Sequence, residues 1–536
     1  MKTSKYYIFS ILCIALCALT SCKDWLTAPE PGAVKLEDFF TSEDAARQCI
    51  NGCYVPLMWE FNRTYFCEWF IGDVVSDDAL KGGQNTSDMG AAYDMENWKT
   101  TARNELLHDF YQAQYLGIGR CNLAIKYISE MSVDTAFTDA KKTEMLAEAH
   151  FLRAFYYFRL VRVFAGTPLV LEVLDNSSKW QQPRASVQSV YDQVIADLLI
   201  AQKSLPTANQ VAASNIGRAT KGAAQAMLQK VYLYMASPYW NAYLSGTTQE
   251  YAKSAKAWGD SIISSGQYAL VSDYASQFAL AGENSTESVF EIQYAEVAWG
   301  DYGEGFGYTA GSFTQRLVRS RSSQISDGDA GWGFDHPTHN LYNEFEAGDA
   351  RRDVAILDPN PALMDNPTEE IYLGSAYLNN KYGWYGNRIA HDSRGPLNNK
   401  QIRYADVLLM QAEACILAGE GDATQYLNEV RSRAGLGNYG TYAYSTTTPS
   451  SGDPLMDAVR HERRVELAME GHRWFDLVRW FGGNGLDTYM NVTYPASETD
   501  DAKAQMGTFR AGVHEIFPIP IDEIELNPME QNSGYN

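Results

Sequence analysis

Apolar and polar positions along the chain follow a mainly helical pattern. Apolar residues recur three and four positions apart over 105–128, 145–164, 186–205 and 220–236, which is typical of helices that bury one face. Thr220 stands at the start of the last segment, where its hydroxyl suits a helix N-cap. Because these helices follow one another in pairs, the pattern predicts helical hairpins.

A further hairpin is predicted near the C-terminus. Residues 402–418 are apolar on nearly every face, which indicates a buried helix, and the glycines at 419 and 421 end it. Asp422 and Gln425 then have the spacing of a capping box for a helix that runs to 434. Helical pairs of this size predict tetratricopeptide-like packing, although the strict repeat signature is absent from the sequence.

Other parts of the chain have the pattern of short strands and loops. Phe290, Ile292 and Tyr294 alternate with polar residues, as in a short strand. Residues 85–98 and 300–308 combine glycine, polar residues and aromatic rings, so we interpret both as loops. The whole pattern therefore predicts a mainly α fold of helical hairpins with a few short strands.

One stretch, Arg460 to Trp480, interleaves aromatic and aliphatic residues with opposite charges. Its apolar content indicates that it is half buried, where an unpaired charge would be costly. Helical spacing predicts the ion pairs Arg463–Glu466, Glu470–Arg473, Asp476–Arg473 and Asp476–Arg479. We interpret the stretch as a structural hub and not as a catalytic site.

Composition narrows the class of protein. At 536 residues and 45% hydrophobic content, the chain is globular and long enough for two or more domains. Aromatic residues make up 13% of it, with 34 Tyr and 12 Trp, which leaves rings available to stack on a ligand. The formal charge is −23, and the sequence has no run of Lys and Arg. We therefore do not expect nucleic acid as a partner.

The start of the chain predicts its compartment. Lys2 and Lys5 precede an apolar run over 6–20 that is too short for a resident membrane helix and typical of a secretory signal. The run ends in Leu-Thr-Ser-Cys, which resembles a bacterial lipobox. We predict that residues 1–21 are a signal peptide and that Cys22 carries a lipid anchor. The alternative is an ordinary signal peptide that happens to end near a cysteine.

Five further cysteines follow the lipobox. An odd number without a paired CxxC spacing indicates neither a zinc site nor a disulfide framework. Buried free thiols are the interpretation that we favour. The five are Cys49, Cys53, Cys67, Cys121 and Cys415.

Several long motifs are similar to one known family. From residue 402 the chain reads IRYADVLLMQAEACILAG, then LNEVRSRAGL and HERRVELAMEGHRWFDLVRW. It also carries FLRAFYYFRLVRVFAGTPLV over 151–170, GWGFDHPTHNLYNEFEAGDARR over 331–352 and FPIPIDEIELNPMEQNSGY over 517–535. In this order the motifs resemble the SusD/RagB family of Bacteroidota outer-membrane lipoproteins, across nearly the whole mature chain.

The resemblance implies both an architecture and a function. It implies tetratricopeptide-like hairpins with a loop-rich ligand-binding region, divided into an N-terminal helical region at 22–285 and a C-terminal region at 286–536. It also implies a lipid-anchored protein at the cell surface, which captures glycans for a TonB-dependent transporter of the SusC type. Some family members take peptides instead, so a peptide ligand stays open.

Candidate ligand residues are aromatic rings in loops, since sugars pair flat rings with hydrogen-bonding side chains. This criterion, with the regions where the family places its sites, selects Tyr93, Trp98, Trp299, Tyr302 and Trp384. Trp332 is a weaker candidate because it belongs to a motif that we expect to be packed. Polar neighbours of these rings are Asn85, Asn97, Asp301 and Asn379.

Two rival functions remain. A surface glycoside hydrolase needs a pair of carboxylates, but nothing selects a pair among 66 acidic residues, so we expect no enzyme. A pure interaction scaffold is the other rival. We expect neither a cofactor nor a metal. Calcium is conceivable at Asp73, Asp77 and Asp78, although the EF-hand spacing is missing.

Overall fold

The computed structural model describes the chain in segments from residue 39 onward. These are 39–58, 60, 64, 67–174, 179–295, 311–326, 328–359, 375, 377–387, 395–441 and 446–535. Helices dominate these segments, and short strands join distant parts of them. The prediction of a mainly α fold is therefore confirmed.

The first half of the described chain is almost entirely helical. Its elements are α1 (Glu43–Tyr54), β1 (Ala79–Gly82), α2 (Gly90–Glu96), α3 (Glu105–Glu130), α4 (Asp139–Phe164), α5 (Val187–Ser204), α6 (Lys221–Ala236), α7 (Pro238–Asn241) and α8 (Thr248–Ser264). Helix α3 packs on α4, α4 on α5, α5 on α6 and α6 on α8. This succession is the predicted series of hairpins.

The second half alternates short strands with helices. Its elements are β2 (Ser288–Ile292), α9 (Thr314–Val318), β3 (Phe334–Pro337), α10 (His339–Glu344), α11 (Arg351–Ala355), β4 (Ile356–Leu357), β5 (Leu378–Asn379), β6 (Asn399–Arg403), α12 (Tyr404–Ala418), α13 (Ala423–Arg433), α14 (Pro454–Glu466), α15 (Arg473–Phe481), α16 (Leu486–Thr488), α17 (Tyr494–Ala496), α18 (Asp500–Gln505) and α19 (Ile521–Leu526). Helix α12 packs against α8 as well as α13, which extends the hairpin series.

Helix ends follow the capping signals in the sequence. The Thr220 hydroxyl accepts a hydrogen bond from the Ala223 N–H at 3.1 Å, and the Asp422 carboxylate accepts one from the Thr424 N–H at 2.9 Å. Both N-caps are confirmed, because each side chain takes up a donor that the first helical turn leaves unpaired. The return bond from Gln425 that would complete the predicted capping box is not among the described contacts at the start of α13. Gly419, with φ +71°, ends α12 as predicted.

Two predicted boundaries are wrong. Residues 402 and 403 belong to β6, because Ile402 pairs with Phe290 of β2 in an antiparallel ladder. The helix therefore begins at Tyr404, and pairing with a distant strand overrides the local helical pattern. The loop predicted over 85–98 contains the short helix α2, whose Ala92 and Met95 are buried.

Three antiparallel strand pairs, β1–β3, β2–β6 and β4–β5, connect segments that are far apart in sequence. Among the described residues one large hydrophobic core cluster extends from Ala46 to Ile519, and two small clusters lie beside it. Four of the five cysteines outside the leader are free and buried, and Cys49 is free and half buried, as predicted. The division of the chain at 285/286 stays a prediction.

The hub predicted over Arg460 to Trp480 is buried and lies in α14, α15 and the turn between them. The side chains of Arg463, Glu466 and Arg479 are each at most 1% exposed. Of the predicted pairs, Asp476–Arg479 is present, with Nε and Oδ1 2.8 Å apart. This burial supports the structural interpretation, although the stretch is almost completely buried and not half buried as predicted. The absence of a catalytic role stays a prediction.

The other three predicted pairs are wrong. Arg463 binds Asp406 and Asp476, Arg473 binds Asp77, Glu466 binds Arg351, Arg403 and Arg433, and Glu470 binds Arg403 and Lys381. Only Glu470–Arg473 fails because the helix is interrupted, since α14 ends at Glu466 and α15 begins at Arg473. Arg463 and Glu466 share α14, and Arg473 and Asp476 share α15, but other partners take these charges. Buried charges therefore pair with distant segments that pack against the two helices.

Candidate functional site

The β1–β3 pair brings the loop after β1 against the segment before β3. The Gly83 N–H donates to the Gly333 carbonyl at 2.5 Å. Gly82 has φ +70°, and a Cβ there would lie 2.3 Å from the same carbonyl oxygen. Glycine is needed at this position because both the backbone conformation and the close approach exclude a side chain.

The loop that follows, Gln84 to Ser87, is exposed but firmly held from beneath. The buried Lys81 ammonium donates to the carbonyls of Asn85 at 3.1 Å and Asp88 at 2.6 Å. Burial lowers the pKa of Lys81 to about 8, against the opposing effect of Glu96 and Asp88. The loop therefore presents amide and hydroxyl side chains to solvent from a fixed backbone.

On the other side, Arg319 joins two more segments. Its buried guanidinium donates to the carbonyls of Trp384 at 3.2 Å and Asn387 at 2.6 Å. Its own carbonyl accepts from the Gly333 N–H at 2.8 Å. Arg319 thereby joins the turn at 384–387 to the segment that contains Trp332. The rings of Trp332, Trp384 and Tyr385 in these segments are half buried.

Arg321 links these rings to the loop. Its Nη1 donates to the Trp332 carbonyl at 3.2 Å and lies 3.9 Å from the Asp88 carboxylate, with a quarter of the Arg321 side chain exposed. We call the combined face of Gln84–Asp88, Arg321, Trp332 and Trp384–Asn387 the loop surface. Aromatic rings beside amides, hydroxyls and a guanidinium are the groups that recognise sugars.

Of the five selected aromatic ligand residues, Trp384 is the one that lies on the loop surface within the described segments, together with the weaker candidate Trp332. Tyr93 is on α2, half buried, and its hydroxyl donates to Gln505 at 3.1 Å. Trp98 packs against Trp474, Phe509 and His514, with ring centroids 5.1, 5.0 and 5.5 Å away. A ligand contact for Trp384, Tyr93 and Trp98 stays a prediction.

The remaining predicted residues divide into buried, exposed and undescribed positions. Asn97 and Asn379 are buried and donate to the Tyr93 carbonyl and to Asp335, whereas Asn85 is exposed on the loop surface. Trp299, Asp301, Tyr302 and Cys22 lie outside the residues that the structure describes.

The acidic cluster at 73–78 is engaged in ion pairs. Burial raises the pKa of Asp77, but Arg464 and Arg473 outweigh it and lower that pKa to about 2. Burial raises the pKa of Asp78 to about 6 in spite of Arg464. Asp73 accepts the Gly471 N–H at 2.9 Å. Within the described segments no group of three ligating side chains could hold a metal ion. The expectation of no metal, with calcium as its alternative, stays a prediction.

Comparison with known families decides the classification. Residues 36–233 match a family model described as starch-binding associating with outer membrane, and residues 359–535 match the model of the SusD family. These matches do not overlap and together span more than half of the chain. The chain belongs to the SusD family.

Similar SusD-family proteins align over nearly their full length. SusD-like protein P2 of Formosa agariphila is 26% identical, covering 99% of this chain and 100% of that protein. Each of two solved structures aligns with 92% of this chain over its own full length. A laminarin binding SusD-like protein has 26% identity and a TM-score of 0.72. Surface glycan-binding protein A from Bacteroides thetaiotaomicron, in complex with laminarihexaose, has 25% identity and a TM-score of 0.75.

Tyr385 and Arg321 are among the residues of the loop surface in this SusD-family chain that the sequence prediction missed. Tyr385 could have been selected from the sequence, because it is an aromatic residue that directly follows the candidate Trp384. Arg321 lies in a short run of serines and arginines that has no distinctive pattern. Its place beside Asp88 depends on the β1–β3 pairing.

Among the described residues no helix is both long enough and apolar enough to cross a bilayer.

Proposed function

We propose that this SusD-family protein is a surface glycan-binding protein without catalytic activity. The observation that carries the proposal is its near-complete alignment with a surface glycan-binding protein solved with laminarihexaose. The family model over its N-terminal half is described by starch binding and association with the outer membrane. Both support an oligo- or polysaccharide as ligand.

The loop surface supports the same proposal on physical grounds. It offers half-buried rings beside the exposed Gln84 to Ser87 loop, and its backbone is held by Lys81 and Arg319. Because the polar groups are already positioned, little conformational entropy is lost when a ligand binds. We expect Trp384 to stack on a sugar ring and Arg321 to bind its hydroxyls.

Electrophoresis in gels that contain laminarin or starch tests the binding. We expect retardation of the wild type and a weaker effect for Trp384→Ala, while Trp180→Ala, an exposed tryptophan elsewhere, behaves as wild type. Incubation with the same polysaccharides should release no product. Product release would indicate a hydrolase, and retention of peptides with no glycan retained would favour the peptide-binding alternative.

We further propose that Cys22 carries a lipid that anchors the protein at the outer membrane. The support is the Leu-Thr-Ser-Cys sequence together with the outer-membrane association in the family description. Cells fed a palmitate analogue should label the wild type and leave Cys22→Ser unlabelled. An unlabelled wild type would refute the anchor without affecting the glycan proposal.

The captured glycan would then be handed to a TonB-dependent transporter of the SusC type. Support for this step comes from the family resemblance alone. Affinity purification of the protein from detergent-solubilised outer membranes, followed by mass spectrometry, should recover such a transporter. Its absence, with the anchor intact, would contradict the partnership.

A further inference from the structure

A second cleft of the described chain shares no residue with the loop surface. The cleft has a volume of about 560 Å³ and opens where the end of α4, the start of α5, α7 and the segment 512–533 meet. Its volume is within the range that small-ligand sites occupy, about 300–1,000 Å³.

Two tyrosines of the α7 region form one wall of this cleft. Trp240, which is 1% exposed, packs against Tyr239 and Tyr243 with ring centroids 5.0 and 6.1 Å away. Tyr239 also lies over Gly482, where a Cβ would come within 2.6 Å of the tyrosine ring. Tyr243 is nevertheless 47% exposed, so a supported ring faces solvent.

The opposite wall is polar and fixed. The Arg184 guanidinium donates to the carbonyls of Gly166 at 2.7 Å, Phe164 at 3.0 Å and Glu530 at 3.1 Å. It also donates to the side-chain oxygen of Asn532, whose amide in turn donates to the Phe517 carbonyl at 2.6 Å. These bonds fix a polar part of the cleft lining, and the exposed Ser533 lies in the same lining.

Another wide cavity of the described chain shows what distinguishes this cleft. It has a volume of about 460 Å³, and its lining mixes amide and hydroxyl side chains with aliphatic ones. Its rings, Tyr268 and Phe290, are only 8% and 3% exposed. A sugar requires an accessible ring face for its C–H groups, and the Tyr243 cleft provides one.

We propose that the Tyr243 cleft is a second glycan-binding site, which takes a short stretch of a neutral glycan stacked on Tyr243. This inference rests on the proposed function and adds a site to it. Two sites on one protein would let separate stretches of glycan bind together. A polysaccharide that reaches both would be retained more strongly than an oligosaccharide at either.

Calorimetric titration with laminarihexaose and gel retardation by laminarin test this proposal. Tyr243→Ala removes the ring, and Ser533→Trp fills the cleft from its exposed rim. We expect each variant to bind about one laminarihexaose per protein instead of two, and laminarin retention to fall roughly two- to tenfold. Tyr243→Phe keeps the ring and should stay close to wild type, and thermal unfolding should be unchanged in all three.

The remaining outcomes separate this site from the loop surface. If both cleft variants bind and are retained as wild type while Trp384→Ala is not retained, the proposed function stands and the second site is refuted. Wild type that is retained by neither laminarin nor starch would overturn both proposals. If the cleft variants lose retention while Trp384→Ala is retained as wild type, the cleft is supported as a glycan site. The loop surface is then refuted as a ligand-binding site.

Discussion

The hub and the loop surface use arginine in opposite ways. Arg479 in the hub is completely buried and binds both Glu413 and Asp476. Arg321 on the loop surface is a quarter exposed, and its nearest carboxylate lies 3.9 Å away. A buried guanidinium must keep its partners because water cannot replace them. A partly exposed one exchanges water for a ligand at little cost.

The aromatic rings of the two regions differ in the same way. Trp474 of the hub is 1% exposed and packs against Trp98 and Phe509. Trp332 and Trp384 keep part of their surface open to solvent. We therefore expect substitutions in the hub to change stability, and substitutions on the loop surface to change ligand retention.

The largest effect should follow from Glu466→Gln. This carboxylate binds Arg351, Arg403 and Arg433 and is completely buried. Loss of its charge leaves three buried guanidinium groups short of a partner, so we expect the free energy of unfolding to fall by roughly 3 kcal/mol. Chemical denaturation measures this. Asp500→Asn, at an exposed pair with Lys503, is the control, and equal stability of the two variants would contradict the comparison.

His461 should make hub stability depend on pH. Burial opposes its charge, but Glu344 and Glu346 outweigh that effect and raise its pKa to about 9. A raised histidine pKa stabilises the fold fully below about pH 6.5, and the contribution is lost as pH rises through 9. Its size is on the order of 3 kcal/mol.

Denaturation of wild type and His461→Gln between pH 6 and 10 tests this contribution. The stability difference between the two proteins should shrink as pH rises, since other titrating groups are common to both. A constant difference would show that the pKa of His461 is the same in the folded and the unfolded protein, which would contradict the prediction.

Trp98→Ala should have an intermediate effect. Trp98 is half buried and contacts Trp474, Phe509 and His514, so we expect a loss of about 2 kcal/mol. Thermal unfolding gives the stability, and polysaccharide retention well below the midpoint gives the ligand effect. Retention lost with unchanged stability would instead make Trp98 a ligand platform, as the sequence predicts.

The smallest change in stability should come from Arg321→Ala. Partly exposed pairs contribute about 1 kcal/mol or less, so the unfolding midpoint should barely move. Retention on a polysaccharide gel should nevertheless fall, and Arg321→Lys, which keeps the charge, should recover part of it. A clear loss of stability without loss of retention would assign Arg321 to the scaffold.

Much of the fold could be predicted because its signals are local. The helices between 105 and 236 follow from apolar spacing, and Thr220 and Asp422 cap their helices as predicted. Helix α2 was missed because seven residues give too short a pattern. The start of α12 was placed early because β6 pairs with a strand more than 100 residues away.

The candidate site was less predictable because it is assembled from separate segments. Trp384 was selected as a ring in a loop, but its neighbours Trp332 and Arg321 come from another part of the chain. Arg319 joins these segments through backbone carbonyls, which leave no trace in residue type. The cleft at Tyr243 likewise combines helix ends and the C-terminal segment.

By itself the sequence determined the helical hairpins, their caps, the family resemblance and the burial of the charged hub. These follow from residue type at close spacing, where the physical interaction is between near neighbours. Only the tertiary structure decided which buried charges meet and which rings remain exposed. Both depend on packing between distant segments, because a charge such as Glu466 binds whichever guanidinium the fold brings to it.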